Sequence, residues 1–317
     1  MPSSKVMSSA GRPLSPGAIA LMLMLCFSWG FNQIAVKLAL PDIPPMLQAT
    51  IRSVAALPVL FLIGSLRRVR FFQRDGTLAA GLVAGVMFGL EFVLIYQGLR
   101  LTSASRAVVF VYTAPFFVAL GSYQMLGERL GAAQWAGLAL SFLGVALAIG
   151  LPQADVDTRV LLGDLMMVGG GALWAGTTLV AKGTRLRFAA PEKALGYQVA
   201  VSIPILTLAA FLSGETITHP PAPLTVAVML YQAAWVVGTT FTIWFALVKT
   251  YSASKLSAFS FIAPLFGVVA SYFILHDTLT PVFGVAALLV IAGLFLVNRP
   301  NHAIRGAPDA LLNVTKT

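Results

Sequence analysis

Two charged residues, Arg52 and Glu91, lie deep within long apolar stretches of the sequence. An ionised side chain near the centre of a bilayer costs about 2.5–3.5 kcal/mol on insertion scales, so each charge needs a partner or a function. If the stretches are consecutive membrane helices, both groups lie roughly 10–13 Å below one surface, because an α-helix rises about 1.5 Å per residue. We predict a structural Arg52–Glu91 ion pair or, for Glu91, a role in proton coupling or in binding a substrate ammonium group.

Polar side chains recur at helical spacing in two further apolar stretches. The two sets, each at i, i+4 and i+8, are Trp29, Gln33, Lys37 and Trp174, Thr178, Lys182. Such spacing places each set along one helical stripe. An amide that faced lipid would leave its polar atoms unpaired, so we expect Asn32 and Gln33 to face a cavity or another helix. The simpler interpretation of the two lysines, at helix ends, is a cation that snorkels and complements the helix dipole.

Aromatic and hydroxyl side chains complete the candidate binding residues. Aromatic stripes in membrane proteins are usually packing or interfacial belts, but Tyr96 and Trp235 could stack on a planar ligand or hold a cation. The predicted cavity residues are Trp29, Asn32, Gln33, Glu91, Tyr96, Tyr112, Trp174, Thr177, Trp235, Thr239, Ser260 and Phe261.

Membrane-spanning helices are needed to position these residues. The chain has 317 residues, of which 58% are hydrophobic and 10% charged, whereas a soluble domain has about 25% charged residues. Apolar runs of about 20 residues, long enough to cross a bilayer, recur throughout. The sequence predicts an all-α polytopic membrane protein whose first stretch is an uncleaved span. The ten predicted spans are 17–38, 46–66, 77–99, 105–126, 131–150, 161–182, 194–213, 224–248, 254–275 and 281–298.

The basic residues predict the orientation of the spans. If the N-terminus is cytoplasmic, sixteen of the 21 lysines and arginines fall in inner segments and four in outer ones. Cytoplasmic loops retain Lys and Arg, so we predict a multi-pass inner-membrane protein with both termini in the cytoplasm. Arg100 and Arg106 run against this rule.

One segment of the chain occurs twice in similar form. SASRAVVFVYTAPFF (103–117) recurs as SASKLSAFSFIAPLF (252–266), and further on Glu128 corresponds to Asp277. Upstream, Trp29 and Lys37 correspond to Trp174 and Lys182. Each copy holds five spans, an odd number, so the second copy must enter the membrane from the opposite side, as in many secondary transporters. The predicted organisation is a tail (1–16), a first repeat (17–150), a linker (151–160), a second repeat (161–298) and a tail (299–317).

Pro115 and Pro264 occupy equivalent positions, about ten residues into spans 4 and 9. Proline cannot donate a helical hydrogen bond and its ring clashes with the preceding turn. The carbonyl groups left unpaired can serve a kink, a hinge or substrate binding. A membrane proline is often only a packing kink, but the paired positions lead us to predict two hinges. We expect Ser260, Phe261 and Pro264 to face Tyr112 and Pro115 across a pathway.

Several paired motifs resemble one family of transporters. They are FSWGFNQIAVK (27–37) with ALWAGTTLVAK (172–182), the Ala-Pro of spans 4 and 9, and the acids in LGERL (126–130) and LHDTL (275–279). Over residues 17–298 the chain resembles the drug/metabolite transporter superfamily in its form with two EamA repeats, and most of all the YddG-type amino-acid exporters. The resemblance implies a basket-shaped bundle of ten helices in two inverted five-helix repeats. It also implies a cavity lined mainly by spans 1, 3, 4, 6, 8 and 9, and export of small metabolites such as amino acids, aromatic ones included.

Other functional classes lack their motifs. The sequence has no phosphate-binding GxxxxGK[ST], no HExxH and no nucleophile elbow, so we predict neither an enzyme nor a bound cofactor. Cys26 is the single cysteine, and His219, His276 and His302 fall in predicted loops or the tail, so we predict no metal site. The net charge of +10 is spread over short loops rather than one basic face, which argues against nucleic acid as a partner.

We therefore predict a secondary transporter that exports amino-acid-like small molecules by alternating access, with the lipid bilayer as its other partner. Protons are a candidate coupling ion, and a monomer is the expected state. A passive small-solute channel, or an exporter of another metabolite or drug class, is the alternative. The sequence leaves the exact substrate, the direction, the coupling ion and the oligomeric state open.

Overall fold

The computed structural model describes residues 14–102, 104–149, 157–276 and 281–299. Within these ranges, ten helices are long and apolar enough to cross a membrane, which confirms the predicted fold class. We call them spans 1 to 10: Pro16–Ala39, Pro45–Leu66, Leu78–Leu99, Arg106–Leu126, Ala132–Ile149, Thr158–Gly183, Pro191–Leu212, Pro223–Thr250, Ala253–Ile274 and Pro281–Asn298. The face where span 1 begins and span 10 ends is called the terminal face, and the opposite one the far face.

Proline starts several spans. Spans 1, 2, 7, 8 and 10 begin at a proline, whose fixed φ suits the first helical turn and whose missing N–H would have no partner there anyway. Ser15 caps span 1, because its hydroxyl accepts a hydrogen bond from the Ala18 N–H at 3.2 Å. The sequence therefore sets these boundaries locally.

Spans 4, 8 and 9 are not continuous α-helices. Span 4 consists of helices Ala104–Val111 and Ala114–Leu126. Span 9 consists of helix Ala253–Phe259, a 3₁₀ turn Ser260–Ile262 and helix Ala263–Leu275. Pro115 and Pro264 each lie in the first turn of the helix that follows the break, so both predicted hinge positions coincide with a break. Span 8 contains a π-helical segment, Tyr231–Phe241, between helices Pro223–Leu230 and Thr242–Thr250.

The helix contacts follow an approximate twofold axis that exchanges spans 1–5 with spans 6–10. Span 3 packs on spans 6 and 7, and correspondingly span 8 packs on spans 1 and 2. Span 4 packs on span 6, and span 9 packs on span 1. Spans 2 and 7 contact each other, as do spans 5 and 10. Because this pattern maps onto itself when the halves are exchanged, the fold consists of two inverted repeats.

Glycines allow the closest helix pairs to form. A Cβ added at Gly144 on span 5 would lie 2.7 Å from the Ala286 carbonyl oxygen of span 10, too close for a real side chain. On span 3, Gly85 and Gly89 face Val201 and Ile205 of span 7 in the same way. Helices without side chains at their contact can approach closely and gain van der Waals packing, which substitutes for the hydrophobic effect in lipid.

Candidate substrate pathway

Aromatic rings from six spans meet in one cluster. The Trp29 ring centre lies 6.0 Å from that of Phe241 and 5.7 Å from that of Trp244. Trp244 in turn lies 6.2 Å from Trp174, and Phe241 lies 6.2 Å from Phe88. Most of these pairs are edge-to-face, the arrangement in which the positive edge of one ring meets the negative face of the other. With Tyr112 and Phe261 added, the contributing spans are 1, 3, 4, 6, 8 and 9, the set that the resemblance assigns to the cavity.

Of the residues expected to face each other in spans 4 and 9, Tyr112 and Phe261 are in contact. The rings of Tyr112 and Phe261 lie 6.4 Å apart, tilted by 34°. Phe261 is fully buried, whereas Tyr112 is half-buried. The Ser260 hydroxyl donates to the Ser257 carbonyl at 2.7 Å, so its polar group is used within span 9. Tyr112 is therefore the better candidate for contact with a substrate.

The indole N–H groups near the cluster differ in their partners. Trp29 donates to the Thr240 hydroxyl at 3.0 Å, and Trp235 donates to the Ser28 hydroxyl at 3.0 Å. The Trp244 Nε1 atom is buried without a hydrogen-bond partner. An unpaired donor beside an aromatic cluster can serve a ligand that carries an acceptor. Neither Trp244 nor Phe241 is among the predicted cavity residues.

The π-helical segment explains this omission. Each π-helical bond runs from i to i+5 instead of i+4, so residues beyond the segment turn to a face that α-helical spacing does not predict. The Thr239 hydroxyl donates to the Ala234 carbonyl, five residues back, at 2.9 Å. Counting in α-helical steps of four residues from Trp235 therefore predicts the wrong neighbours for the residues beyond this segment.

The other predicted cavity residues are divided between buried and exposed positions. Thr177 is buried, and its hydroxyl donates to the Trp174 carbonyl at 2.7 Å. The Asn32 Oδ1 atom is buried without a partner. Gln33, one residue on, is exposed. Asn32 of span 1 thus has an unpaired polar atom, whereas the Thr177 hydroxyl has a hydrogen-bond partner in its own helix.

The predicted Arg52–Glu91 ion pair is not formed. Both side chains are buried as expected, at 2% and 7% exposure, but no nitrogen–oxygen pair between them lies within ion-pairing distance. Instead, the Arg52 guanidinium carbon lies 4.5 Å from the centre of the Phe92 ring. Tyr96 is half-buried, and its ring stacks on Phe92 at 6.0 Å. Sequence reasoning can place two charges at one depth, but the directions of their side chains depend on tertiary packing.

A buried polar cluster closes the terminal face. We call it the terminal lock: Glu128, Lys182, Ser252, Ala253 and Ser254. Lys182 donates to Glu128 Oε1 at 2.8 Å and also to the Tyr251 carbonyl. The Ser252 and Ser254 hydroxyls donate to Glu128 Oε2 at 2.7 and 3.0 Å. One carboxylate therefore ties the ends of spans 4 and 6 to the start of span 9.

The terminal lock corrects the interpretation of Lys182 as a snorkelling cation. Lys182 is 7% exposed, and its ammonium group is held inside the protein. For Glu128, which follows span 4, burial alone would raise the carboxyl pKa, but Lys182, the Ser252 hydroxyl and the Ala253 N–H together hold that pKa below its usual value of 4.5. Glu128 is thus ionised at neutral pH, as a paired carboxylate with several hydrogen bonds should be.

The equivalent residues at the far face are arranged differently. Lys37, the counterpart of Lys182, is exposed, and no described residue pairs with it. Ser103 and Asp277, the counterparts of Ser252 and Glu128, lie outside the described residues. Along span 4, Val111 and Tyr112 are half-buried, whereas their counterparts Ser260 and Phe261 are buried. The two repeats have the same fold but are not in the same state.

An ion pair at the far face explains one exception to the positive-inside rule. Arg106, at the start of span 4, donates through Nε to both carboxylate oxygens of Asp164, each at 3.1 Å. The Thr102 hydroxyl donates to the same carboxylate at 2.7 Å. Arg106 is therefore a structural partner of span 6 rather than a topology signal. Sequence reasoning missed this pair because Asp164 lies close to a predicted span end.

The comparisons with known proteins agree with this architecture. The model of the EamA-like transporter family matches residues 16–150 and 161–299. The uncharacterized transporter YoaV of Bacillus subtilis is 25% identical over 279 residues, which cover 84% of this chain and 92% of that protein. A probable amino-acid metabolite efflux pump of Salmonella typhimurium is 26% identical over 292 residues, or 87% and 93% of the two chains.

A solved crystal structure shares the fold. It superposes with a TM-score of 0.76 at 18% identity, covering 89% of this chain and 98% of that chain. The family model covers both halves of the chain, and each half contains five of the ten spans. The chain therefore belongs to the EamA-like transporter family of the drug/metabolite transporter superfamily.

Proposed function

We propose that this membrane transporter exports amino-acid-like metabolites from the cytoplasm by alternating access. We further propose that it lies in the inner membrane with both termini cytoplasmic, that it works as a monomer, and that protons are its coupling ion if it has one. The terminal face is then the cytoplasmic face. The far face is the side on which substrate is released.

The observation that carries the proposal is the difference between the repeats. Terminal lock residues Lys182 and Ser254 are buried and bonded through Glu128, whereas Lys37 is exposed and Tyr112 only half-buried. If the halves exchanged conformations, the terminal face would open and the far face would close, which is how inverted repeats give alternating access. A permanently open channel would have no use for a buried lock of this kind on one face.

Two features favour amino acids as substrates. Proteins named probable amino-acid metabolite efflux pumps align with 87–88% of this chain. The central cluster combines apolar rings with the unpaired Trp244 Nε1 atom. Mostly apolar walls with a few directed polar groups are typical of small-molecule sites.

Counterflow tests this proposal. Proteoliposomes loaded with unlabelled amino acids are expected to take up radiolabelled amino acid transiently above equilibrium, because a carrier exchanges one molecule for another. Protein-free liposomes, and proteoliposomes with an empty lumen, are the controls. Uptake that internal amino acid does not stimulate would indicate a channel. No uptake of any amino acid in the panel would reject the substrate class, and repeating the assay with a pH gradient tests proton coupling.

We expect Pro264→Ala to slow exchange severalfold without unfolding the protein. Alanine would supply an N–H for the Ser260 carbonyl, four residues back, so the broken part of span 9 would become a more continuous and stiffer helix. The measurement is the initial counterflow rate at equal protein content.

Pro58→Ala is the matched control. Pro58 lies inside span 2, which is one continuous helix, and its ring is exposed, so its replacement should leave the exchange rate unchanged. Wild-type exchange by the Pro264 variant would contradict a hinge at that position.

A further inference from the structure

One edge of the Arg52 guanidinium is buried and unpaired. Its Nε and Nη2 atoms are both buried without a hydrogen-bond partner. These two N–H groups point the same way and form the fork that binds a carboxylate through two parallel hydrogen bonds. The Phe92 ring lies 4.5 Å from the guanidinium carbon. An arginine stays charged in proteins, so a desolvated guanidinium of this kind requires an anion.

The described carboxylates do not supply that anion. Four lysines and arginines are buried in the described part of the chain: Arg52, Arg106, Lys182 and Lys193. The other three each have a carboxylate partner. Arg52 alone has none.

The Glu91 carboxyl group also lacks a hydrogen-bond partner. Of the eight aspartates and glutamates among the described residues, it is the one that accepts no hydrogen bond, and its Oε2 atom is buried. It directly precedes Phe92, the residue whose ring the Arg52 guanidinium contacts, yet no ion pair joins the two side chains. A guanidinium and a carboxyl group are therefore buried close together, and they do not form an ion pair with each other.

A cavity lies at the far face, beside Tyr96 of span 3. Its volume is about 220 Å³, and its lining residues are Pro45, Met46, Tyr96, Gln97, Arg100 and Glu215. Tyr96, which lines the cavity, stacks on Phe92 with ring centres 6.0 Å apart, and Phe92 in turn contacts the Arg52 guanidinium. Sites for drug-sized ligands measure about 300–1,000 Å³, and this smaller cavity suits a molecule of amino-acid size.

We propose that Arg52 and Glu91 bind the two charged groups of a zwitterionic α-amino acid: Arg52 binds the carboxylate and Glu91 the ammonium group. This inference rests on the proposed function. In an α-amino acid both charged groups are attached to the same carbon atom, Cα, so a matching site needs two groups of opposite charge that face the ligand and do not touch each other. The rings of Phe92 and Tyr96 form the apolar wall for the ligand side chain. Bound substrate would pair both buried charges and remove the cost of leaving each one unpaired.

Ligand series on the unmodified protein test the proposal without any variant. Binding to purified full-length protein is measured by calorimetry for L-alanine, L-leucine and L-phenylalanine. Each is compared with the amine that lacks its carboxylate (ethylamine, isoamylamine, phenethylamine) and with the acid that lacks its ammonium group (propionate, isocaproate, hydrocinnamate). We expect both truncated analogues to bind at least about tenfold more weakly, because each leaves one buried charge unpaired.

Charge-removing variants assign the two roles. Arg52→Gln should bind an amino acid and its amine equally, and Glu91→Gln should bind an amino acid and its acid equally. Arg159→Gln, at an exposed arginine that begins span 6, is the matched control and should discriminate as the wild type does.

The outcomes separate this inference from the proposed function. If the wild type exchanges amino acids in counterflow but binds the acids or amines as tightly as the amino acids, the zwitterion site is overturned and the transport function stands. If it neither exchanges nor binds any amino acid, both fall. Unchanged discrimination in a variant that exchanges amino acids would also overturn the assignment.

Discussion

Glu128→Ala is expected to open the terminal face and to reduce amino-acid exchange by about tenfold or more, because removing one partner of a buried ion pair costs about 3–5 kcal/mol. The Glu128 carboxylate accepts five hydrogen bonds, four of them from the start of span 9. Without it, the Lys182 ammonium keeps only the Tyr251 carbonyl as an acceptor. Water must then enter to solvate Lys182, and the start of span 9 loses its attachment to spans 4 and 6.

The single cysteine reports this opening. Cys26 is fully buried, and its thiol donates to the Phe259 carbonyl of span 9 at 3.1 Å. Separation of spans 1 and 9 should expose the thiol, so we expect Glu128→Ala to increase labelling by a membrane-impermeant maleimide added to the terminal face. Cys26→Ala gives the background signal.

Glu192→Gln is the matched control for the Glu128 variant. Glu192 is also buried at the terminal face, but it accepts from Arg67 of the span 2 end, at 2.5 Å, and holds no part of span 9. Its replacement should leave Cys26 unlabelled. If Cys26 in Glu128→Ala stayed as protected as in the wild type, the terminal lock would not control access to this face.

The sequence predicted the elements better than the contacts between them. Apolar length sets each span, and the repeated Ser-Ala-Ser and Ala-Pro motifs reveal the inverted halves. No periodicity, however, indicates that Glu128 of one repeat reaches Ser252 of the other, because this contact joins the end of span 4 to the start of span 9. The sequence treats Lys37 and Lys182 as equivalents, and they differ because Lys182 has a buried carboxylate partner, whereas Lys37 pairs with no described residue.

Glycines of spans 1 and 6 lie against the breaks in spans 9 and 4. Gly30 of span 1 packs on Ala263 where span 9 resumes after its break. In the other half, Gly171 of span 6 packs on Val111 and Ala114, on either side of the break in span 4. Each broken span is thus crossed by a small residue of the partner repeat. Under the proposed alternating access, we expect the two crossings to serve as pivots that persist between its states.

Gly30→Ala should disrupt the pivot of span 1, although alanine favours a helix over glycine by about 1 kcal/mol. A Cβ at this position would lie 2.8 Å from the Gly267 N atom and 2.8 Å from the Phe266 Cβ, and closer still to the Ala263 carbonyl oxygen. Two of these atoms are backbone and cannot turn aside, so spans 1 and 9 must move apart. We expect a lower melting temperature of the purified protein, exchange reduced by about tenfold, and labelling of Cys26.

Gly17→Ala on the same span separates the effect of close contact with span 9 from the effect of helix propensity. No atom lies within 4 Å of a Cβ built at Gly17, so this variant should melt at or above the wild-type temperature and exchange normally. If Gly30→Ala behaved the same way, helix propensity alone would govern both sites, and close contact with span 9 would not be required for transport. Opposite results at two glycines of one helix would instead assign the effect to the backbone crossing, since the chemical change is identical.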